Sequence, residues 1–483
     1  MKIFLNGKIG RTYVQSLCMM FFHGVKFPLN DENTDNIELY VDAEEKENGV
    51  FSKATFKIAE KEESADAFIY FNNKDSLEKT YKKVVLQAVF LAGSKITGKS
   101  LEWGILTGIR PSKVALDLLR ELGENKAKEI LIKEYFLSEK KADLVVDVAK
   151  YEGIVGDSTG FNECSIYISI PFCPSRCTYC SFISYAGKKL FSLIPDYIKK
   201  LLSDIKETAS IIKENNLRLV SVYIGGGTPT ILNEEMLEAL LLEITQSFDL
   251  SCLREFTLES GRPDTITEEK LEIAKKYGVT RISVNPQTLN DEVLELIGRR
   301  HTVSDFFKAY DNVSNSNIKH INTDLIAGLD GDTLESFSKT VDEIIKLSPS
   351  NVTVHSFCVK KSAQILEDDR EIYEKENSSA RDSVDYAYKR LTESGYVPYY
   401  MYRQKNTVEN LENVGYAKPD AIGLYNIFMM CDSHSVFGIG AGATTKLVKD
   451  GVIERIFSPK YPYEYLRENQ NIKDRVKDFF EKE

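Results

Sequence analysis

The chain has 483 residues, too many for one ordinary domain, so two or three are expected. Hydrophobic residues make up 42% and charged residues 28%, a globular profile, and no apolar run reaches the roughly 18 residues of a spanning helix. The net charge of −11 argues against a general nucleic-acid or anionic-membrane surface, so an anionic substrate would need a local basic pocket.

Residues 1–156 read as an α+β module. The opening Met-Lys-Ile-Phe-Leu is soon interrupted by polar residues and lacks a secretory core, which points to a cytoplasmic protein. A short strand and an apolar stretch from Val14 to Phe22 come first, then strand patterns at Ile37–Val41, Ala54–Ile58 and Ala67–Phe71. Helical patterns follow at Leu77–Leu91, Pro111–Leu122, Lys126–Glu134 and Glu139–Tyr151. Between them, Leu101-Glu-Trp-Gly-Ile-Leu-Thr-Gly-Ile-Arg-Pro reads as a connecting turn.

Residues 157–381 have a different texture. Strand patterns at Ser165–Ile170, Leu219–Ile224, Glu255–Leu258, Arg281–Val284, Ile321–Ile326 and Asn351–His355 alternate with helical ones. The helices are expected at Ile194–Glu214, Asn233–Phe248, Thr267–Tyr277, Asp291–Arg299, Val303–Ser314 and Thr333–Leu347. Strands alternating with helices imply right-handed crossovers and a parallel sheet. Six such units fall short of the eight in a closed barrel, so the fold class is α/β with a partial (β/α)6 barrel. Residues 382–483 form a C-terminal α+β extension with a helix at Ser383–Ser394 and a region rich in Tyr, Asn and Gly. Its Gly438-Ile-Gly-Ala-Gly-Ala segment is a tight turn that serves either close packing or ligand contact.

The eight cysteines divide into a triplet and five scattered singles, Cys18, Cys164, Cys252, Cys358 and Cys431. The singles read as small buried hydrophobes in a reducing compartment, with Cys164 and Cys358 expected near strand ends beside the triplet. The triplet stands in Tyr167-Ile-Ser-Ile-Pro-Phe-Cys-Pro-Ser-Arg-Cys-Thr-Tyr-Cys180. Cys173, Cys177 and Cys180 can hold three corners of a [4Fe-4S] cluster and leave one iron open to a small molecule. Zinc is the plainer alternative, but it wants four ligands, and neither a second cysteine pair nor a neighbouring His is present. An open iron can chelate the amino and carboxylate groups of S-adenosylmethionine, and the cluster's electron then starts radical chemistry.

Polar residues recur where successive strands end, the place where reactive groups gather in such folds. Gly225-Gly-Gly-Thr-Pro-Thr ends the second strand, Glu259 the third, Asn285 and Gln287 the fourth, and Asp324 lies in the fifth. They serve either each other or a ligand's ribose and aminocarboxylate. Arg299 can meet a carboxylate bidentately or act as a cation near a helix end. Tyr179 and Phe182 flank the last cysteine, and Tyr167 lies upstream; each can stack on adenine or simply pack the loop. His355, ending the sixth strand, is either a core histidine or a porphyrin contact.

The cysteine spacing, with an aromatic before the last Cys, resembles the radical S-adenosylmethionine superfamily. Tyr-x-x-Ile-Pro-Phe-Cys, the Gly-Gly-Gly-Thr-Pro-Thr run, Glu259 and Asn322-Thr-Asp-Leu-Ile-Ala-Gly-Leu resemble the oxygen-independent coproporphyrinogen III oxidase (coproporphyrinogen dehydrogenase) family. The segments Trp103-Gly-Ile-Leu-Thr-Gly-Ile-Arg-Pro, Arg281-Ile-Ser-Val-Asn-Pro-Gln-Thr and Asn410-Leu-Glu-Asn-Val-Gly-Tyr-Ala-Lys-Pro are similar to its HemZ branch.

The resemblance implies cluster ligation by Cys173, Cys177 and Cys180, and S-adenosylmethionine held on the iron by Tyr167, Gly226 and Glu259. It implies that Tyr179, Gly227, Thr228, Gln287, Arg299 and Asp324 surround a second S-adenosylmethionine. The implied reaction is oxidative decarboxylation of two propionates of coproporphyrinogen III to vinyl groups, with an electron donor such as flavodoxin or ferredoxin. Two positions depart from the oxidase: Phe182 stands where it has a further Cys, and Ser169 where it has a His. The haem-chaperone branch shares the Phe, so haem delivery, or radical chemistry on another tetrapyrrole, is the alternative.

Overall fold

The computed structural model describes residues 1–22, 24–27, 36–71, 76–180, 187–358, 379–404, 407–468 and 472–481. Phe182 therefore lies outside the described residues. The chain divides into two compact units, one of residues 1–149 and one comprising the described residues from 150 onward.

In the first unit, strands β1 (Lys2–Asn6), β2 (Ile37–Lys46), β3 (Gly49–Ile58) and β4 (Lys61–Tyr70) make one sheet in that order. β1 is parallel to β2, and the later pairs are antiparallel hairpins. The strands run longer than the local patterns suggest because their outer ends carry charged residues, Glu44 to Lys46 and Lys61 to Glu63, that pair without being buried. Helices Arg11–Phe21 and Leu77–Thr97 contribute Val14, Leu17, Phe21, Val84, Val85 and Val89 to a core with Leu39, Val41 and Phe56. The apolar stretch around Val14 is thus the buried stripe of a helix. The Trp103 segment is a turn as expected: Trp103 is buried, and the backbone of Ile105 donates to the Tyr135 carbonyl at 2.9 Å.

The second unit is built on a sheet of eleven strands. Its centre is β5 (Glu163–Ile170), β6 (Arg218–Gly226), β7 (Glu255–Glu259), β8 (Arg281–Ser283), β9 (His320–Ala327) and β10 (Asn351–Ser356). These lie side by side in chain order and all run parallel. Helices Ile194–Glu214, Glu234–Ser247, Glu268–Lys276, Val303–Asn315 and Leu334–Leu347 return the chain between them. Four of these crossover helices begin at a side-chain cap, from Asn233, Thr267, Thr302 and Thr333, which fixes where each loop ends. This is the expected β/α alternation.

The last strands do not form a separate layer. β11 (Val397–Arg403) and β12 (Glu412–Ala417) extend the sheet antiparallel beyond β10. On the other edge β13 (Ser435–Ile439) runs parallel to β5, followed by β14 (Thr444–Lys449) and β15 (Val452–Phe457). Within the central strands alternate residues face opposite ways. Ile166, Ile168, Val222, Ile224, Phe256, Leu258 and Ile282 are buried and apolar, whereas Tyr167, Tyr223, Glu259, Asn285 and Asp324 line a cavity. At the opposite ends of the strands, Arg281 Nε donates to Glu255 Oε2 at 3.1 Å, and its Nη2 donates to the Ala421 carbonyl at 2.9 Å. Glu255 also receives the backbone N–H groups of Leu424 and Tyr425, at 2.9 and 3.0 Å. This buried cluster ties helix Leu424–Met430 to the sheet.

One helix is shorter than expected. The pattern over Asp291–Arg299 gives a helix only to Leu296, because Gly298 adopts φ 72° and turns the chain so that Arg299 reaches the cavity. Among the described residues no helix is long and apolar enough to cross a membrane.

Candidate functional site: a cysteine loop over a polar strand-end cavity

The cysteine loop leaves β5 at Ile170 and stays paired to its neighbour. Gly227 N donates to the Ile170 carbonyl and Thr228 N to the Phe172 carbonyl, each at 2.8 Å. That pairing brings backbones too close for a side chain: a β-carbon on Gly227 would stand 2.5 Å from the Phe172 oxygen. A β-carbon on Gly225 would stand 2.5 Å from Glu259 Oε2. The glycine run therefore makes room on one side for the cysteine loop and on the other for a carboxylate. Thr228 Oγ1 lies 3.2 Å from Cys173 Sγ, within hydrogen-bonding reach.

Glu259 ends β7 with its carboxyl in the cavity. Enclosure by the walls, and then the neighbouring Asp324 charge, push it up to about 8, against the pull of the Gly226 N–H and the Tyr223 hydroxyl. Asp324 is oriented by Asn285, whose Nδ2 donates to Asp324 Oδ2 at 2.8 Å while its Oδ1 accepts from Asp324 N at 3.2 Å. β8 stops at Ser283, ahead of Pro286, and re-pairs at Gln287, which bridges to Leu325 with φ 69°. Gln287 faces the cavity with Ser283 and Asn285, in step with strand alternation across the break in pairing.

Arg299 Nη1 donates to the Asn285 carbonyl at 2.6 Å and to the Gly261 carbonyl at 3.2 Å, and Nη2 reaches the Tyr179 hydroxyl at 3.4 Å. Its Nε is buried without a partner. A second guanidinium, Arg262, was not singled out by the sequence. Its Nη1 donates to Cys177 Sγ at 3.4 Å and its Nη2 to Ser175 Oγ at 2.8 Å. The loop also leans on the turn before Arg299, with Thr178 N donating to the Ile297 carbonyl at 3.1 Å.

On the cavity wall Tyr167, Tyr223 and Tyr425 stack. Ring centroids are 4.5 Å apart for Tyr223 and Tyr425, and 6.1 and 6.0 Å from Tyr167 to each of them. On the β9 and β10 side, His355 Nδ1 lies 3.2 Å from the Tyr402 hydroxyl and Nε2 lies 3.9 Å from Asp324 Oδ2.

All the residues expected from the sequence meet here. Tyr167, Cys173, Cys177, Tyr179, Cys180, Gly226, Gly227, Thr228, Glu259, Gln287, Arg299 and Asp324 line one cavity of about 360 Å³, together with Asn285, His355 and Cys358. That volume lies in the range of small-molecule sites. Cys164 is the exception. It is fully buried at the amino end of β5, where burial pushes its thiol up, and it takes no part in the cavity. The Gly438 turn serves packing: Ser169 Oγ donates to the Ala441 carbonyl at 2.8 Å, and Ala441 N donates to the Tyr197 hydroxyl at 2.9 Å. Ser169 is thus committed to holding that turn. Besides Arg262, the sequence reading missed Tyr223, Tyr400, Tyr402 and Tyr425 on the cavity wall. Arg262 follows the end of β7 and Tyr223 sits one alternation before Gly225, so the strand-end signal reaches both; Tyr425 carries no local signal.

The lining suits a cluster with S-adenosylmethionine. Cys173 and Cys177 are buried and Cys180 half-buried, all facing the same space. Among the described residues no group of three His, Cys, Asp or Glu side chains converges as a single bound ion requires. A four-iron cube takes its thiolates on separate irons and needs no such convergence. Glu259 offers a carboxylate for amino N–H groups, Arg299 an orphaned guanidinium N–H, Asp324 and Gln287 partners for ribose hydroxyls, and Tyr179 an aromatic face.

Residues 167–344 match the Radical SAM superfamily. The chain is 37% identical over 375 residues to the oxygen-independent coproporphyrinogen-III oxidase-like protein HemZ of Bacillus subtilis, covering 76% of this chain and 75% of that protein. It is 31% identical over 338 residues to the heme chaperone HemW of Haemophilus influenzae, covering 65% of this chain and 81% of that one. In fold it is similar to the coproporphyrinogen III oxidase HemN of Escherichia coli, with a TM-score of 0.52 at 21% identity over 66% of this chain and 71% of that chain. The cofactors of this superfamily are a [4Fe-4S] cluster and S-adenosylmethionine, and the chain belongs to it, in the HemZ branch of the coproporphyrinogen III oxidase-like family.

Proposed function

We propose that the chain is a radical S-adenosylmethionine enzyme of tetrapyrrole metabolism that converts two propionates of coproporphyrinogen III to vinyl groups, giving protoporphyrinogen IX. Cys173, Cys177 and Cys180 hold the cluster; Tyr167, Gly226 and Glu259 hold S-adenosylmethionine on it. Tyr179, Gly227, Thr228, Gln287, Arg299 and Asp324 surround a second molecule of the same cofactor. The observation that carries this reading is their convergence, from five strand ends and two loops, on one cavity with the three thiols.

When bound, the cluster and S-adenosylmethionine supply the hydrogen-atom abstraction that starts such a reaction. The chain's own residues bind, orient and shield. Glu259 accepts an N–H of the amino group that would sit on the iron, and gives up its own proton to do so at neutral pH. Asn285 fixes the rotamer of Asp324 so that its free oxygen faces the ligand. The stacked Tyr167, Tyr223 and Tyr425 wall one side of the cavity with aromatic surface and help keep bulk water from the reacting carbon. Each propionate loses one hydrogen atom, one carbon dioxide and one electron, and the electron leaves to an external acceptor. A small carrier such as flavodoxin or ferredoxin reduces the cluster in the cytoplasm.

Haem delivery is the second reading. Its support is the similarity to HemW and the presence on the cavity wall of His355 and Cys358, side chains of the two kinds that ligate haem iron. Anaerobic incubation of the reconstituted protein with coproporphyrinogen III, S-adenosylmethionine and a reductant separates the two. Protoporphyrinogen IX supports the oxidase; S-adenosylmethionine cleavage without decarboxylated product, with tight stoichiometric haem binding, supports delivery.

A further inference from the structure

Cys173 and Cys177 already have hydrogen-bonding partners from the chain. Thr228 meets Cys173 at 3.2 Å, and Arg262 meets Cys177 at 3.4 Å. Arg262 is the more consequential, because it is only 3% exposed and brings a positive charge to the sulfur. Its fork is divided. Nη1 points to Cys177, Nη2 to Ser175 in the same loop, and Nε lies 3.4 Å from Asp264 Oδ1. Asp264 offsets part of the charge, so the directed N–H on the sulfur is the larger local effect.

We infer that Arg262 is a positioning residue of the metal centre that raises the cluster's reduction potential through its hydrogen bond to Cys177, an inference that rests on Cys177 being a cluster ligand. The reasoning is electrostatic. One-electron reduction adds a negative charge that spreads onto the cysteine sulfurs. A donor and a cation held against one of those sulfurs stabilise the reduced form more than the oxidised one. Burial strengthens the effect, since little water screens the interaction. The fork suits Arg, whose fixed pair of Nη groups meets Cys177 and Ser175 at once. Arg299 also stands near enough to Cys177 to act on it through its charge, but its Nη groups are committed to the Asn285 and Gly261 carbonyls and to Tyr179, so the directed bond to the sulfur comes from Arg262 Nη1.

The test is a redox titration of the reconstituted protein with dithionite, followed by the electron paramagnetic resonance of the reduced cluster, alongside iron and sulfide content. Arg262→Gln is expected to keep its iron and lower the ratio of reduced to oxidised cluster at least tenfold at a fixed solution potential, about 59 mV for one electron. Ser175→Ala removes only the clamp on the loop and is expected to leave that ratio unchanged. A fully loaded Arg262→Gln protein with the wild-type ratio overturns the inference. If Arg262→Gln fails to hold the cluster, Asp264→Asn carries the test: loss of the carboxylate that offsets Arg262 is expected to raise the ratio, and the wild-type ratio overturns the inference. Cys177→Ala separates the two levels, since a complete four-iron cluster in that variant removes the ligand assignment and the inference with it.

Discussion

Gly225 and Glu259 face each other across neighbouring strands so closely that a β-carbon on the glycine would stand 2.5 Å from the carboxylate Oε2 and 2.7 Å from the Tyr223 ring. The carboxylate and the tyrosine depend on the missing side chain for their positions. Gly225→Ala is therefore expected to displace Glu259 rather than unfold the unit. S-adenosylmethionine affinity, measured by equilibrium dialysis on the loaded protein, should fall at least tenfold, roughly 1.4 kcal/mol. Wild-type affinity in this variant would remove Glu259 from the binding site.

Glu259 also sets a pH dependence. Its carboxyl is held up to about 8, from an ordinary value of 4.5, so near neutrality the free site is largely protonated. An amino group that ligates the iron gives up its ammonium proton, its remaining N–H groups favour the ionised carboxylate, and binding then releases protons from both groups. Affinity should climb as pH rises toward 8 and level off above it. Calorimetry in buffers of differing ionisation enthalpy should register the released protons, and Glu259→Gln should bind weakly with a shallower slope. Stability of the free protein moves the other way. The unfolded chain ionises first, so this residue's contribution falls as pH rises from 4.5 toward 8, and Glu259→Gln should flatten that decline.

The Glu255–Arg281 pair is expected to be structural. Both side chains are buried, and each serves several partners, including the backbone of helix Leu424–Met430. Glu255→Ala leaves a buried guanidinium uncompensated and should cost about 3–5 kcal/mol in a denaturant titration. A loss below about 1 kcal/mol would show that the pair is solvated and the helix held by other contacts.

Tyr425 tests the wall of the cavity. Tyr425→Ala removes a buried ring from the stack with Tyr223 and Tyr167 and should lower stability by about 3–5 kcal/mol. Tyr425→Phe keeps the ring and should stay within about 1 kcal/mol of wild type, unless the hydroxyl carries the packing.

Much of this site was legible because the chain repeats one simple device. Each parallel strand alternates an apolar residue against the helices with a polar residue toward the cavity, so Glu259, Asn285 and Asp324 could be picked out from strand ends. Gly225 to Thr228 was legible for the same reason, although only the structure shows that Gly225 clears a carboxylate and Gly227 a backbone. Cys164 misled because nearness to a strand is not nearness to the site: it precedes Ser165–Ile170 and so stands at the amino end, while the cysteine loop leaves the carboxyl end. Tyr400, Tyr402 and Tyr425 were not legible, since they reach the cavity by long-range pairing that no local pattern encodes. Gly415 illustrates this: a β-carbon there would overlap the Tyr400 ring, a constraint set by the β11–β12 register. Arg262 was passed over although it follows the end of β7, because a lone Arg there reads as easily as a solvated surface cation.

The central claim is that three cysteines leave one iron open and that the cavity beside it presents S-adenosylmethionine to that iron. Electron–nuclear double resonance on the reduced, reconstituted protein tests it directly, using S-adenosylmethionine labelled with 15N in the amino group and 17O in the carboxylate. The account predicts hyperfine coupling from both labels to the cluster, lost in Glu259→Gln or sharply reduced in occupancy. A cluster signal that shows coupling to neither label, with S-adenosylmethionine in saturating excess, would contradict it.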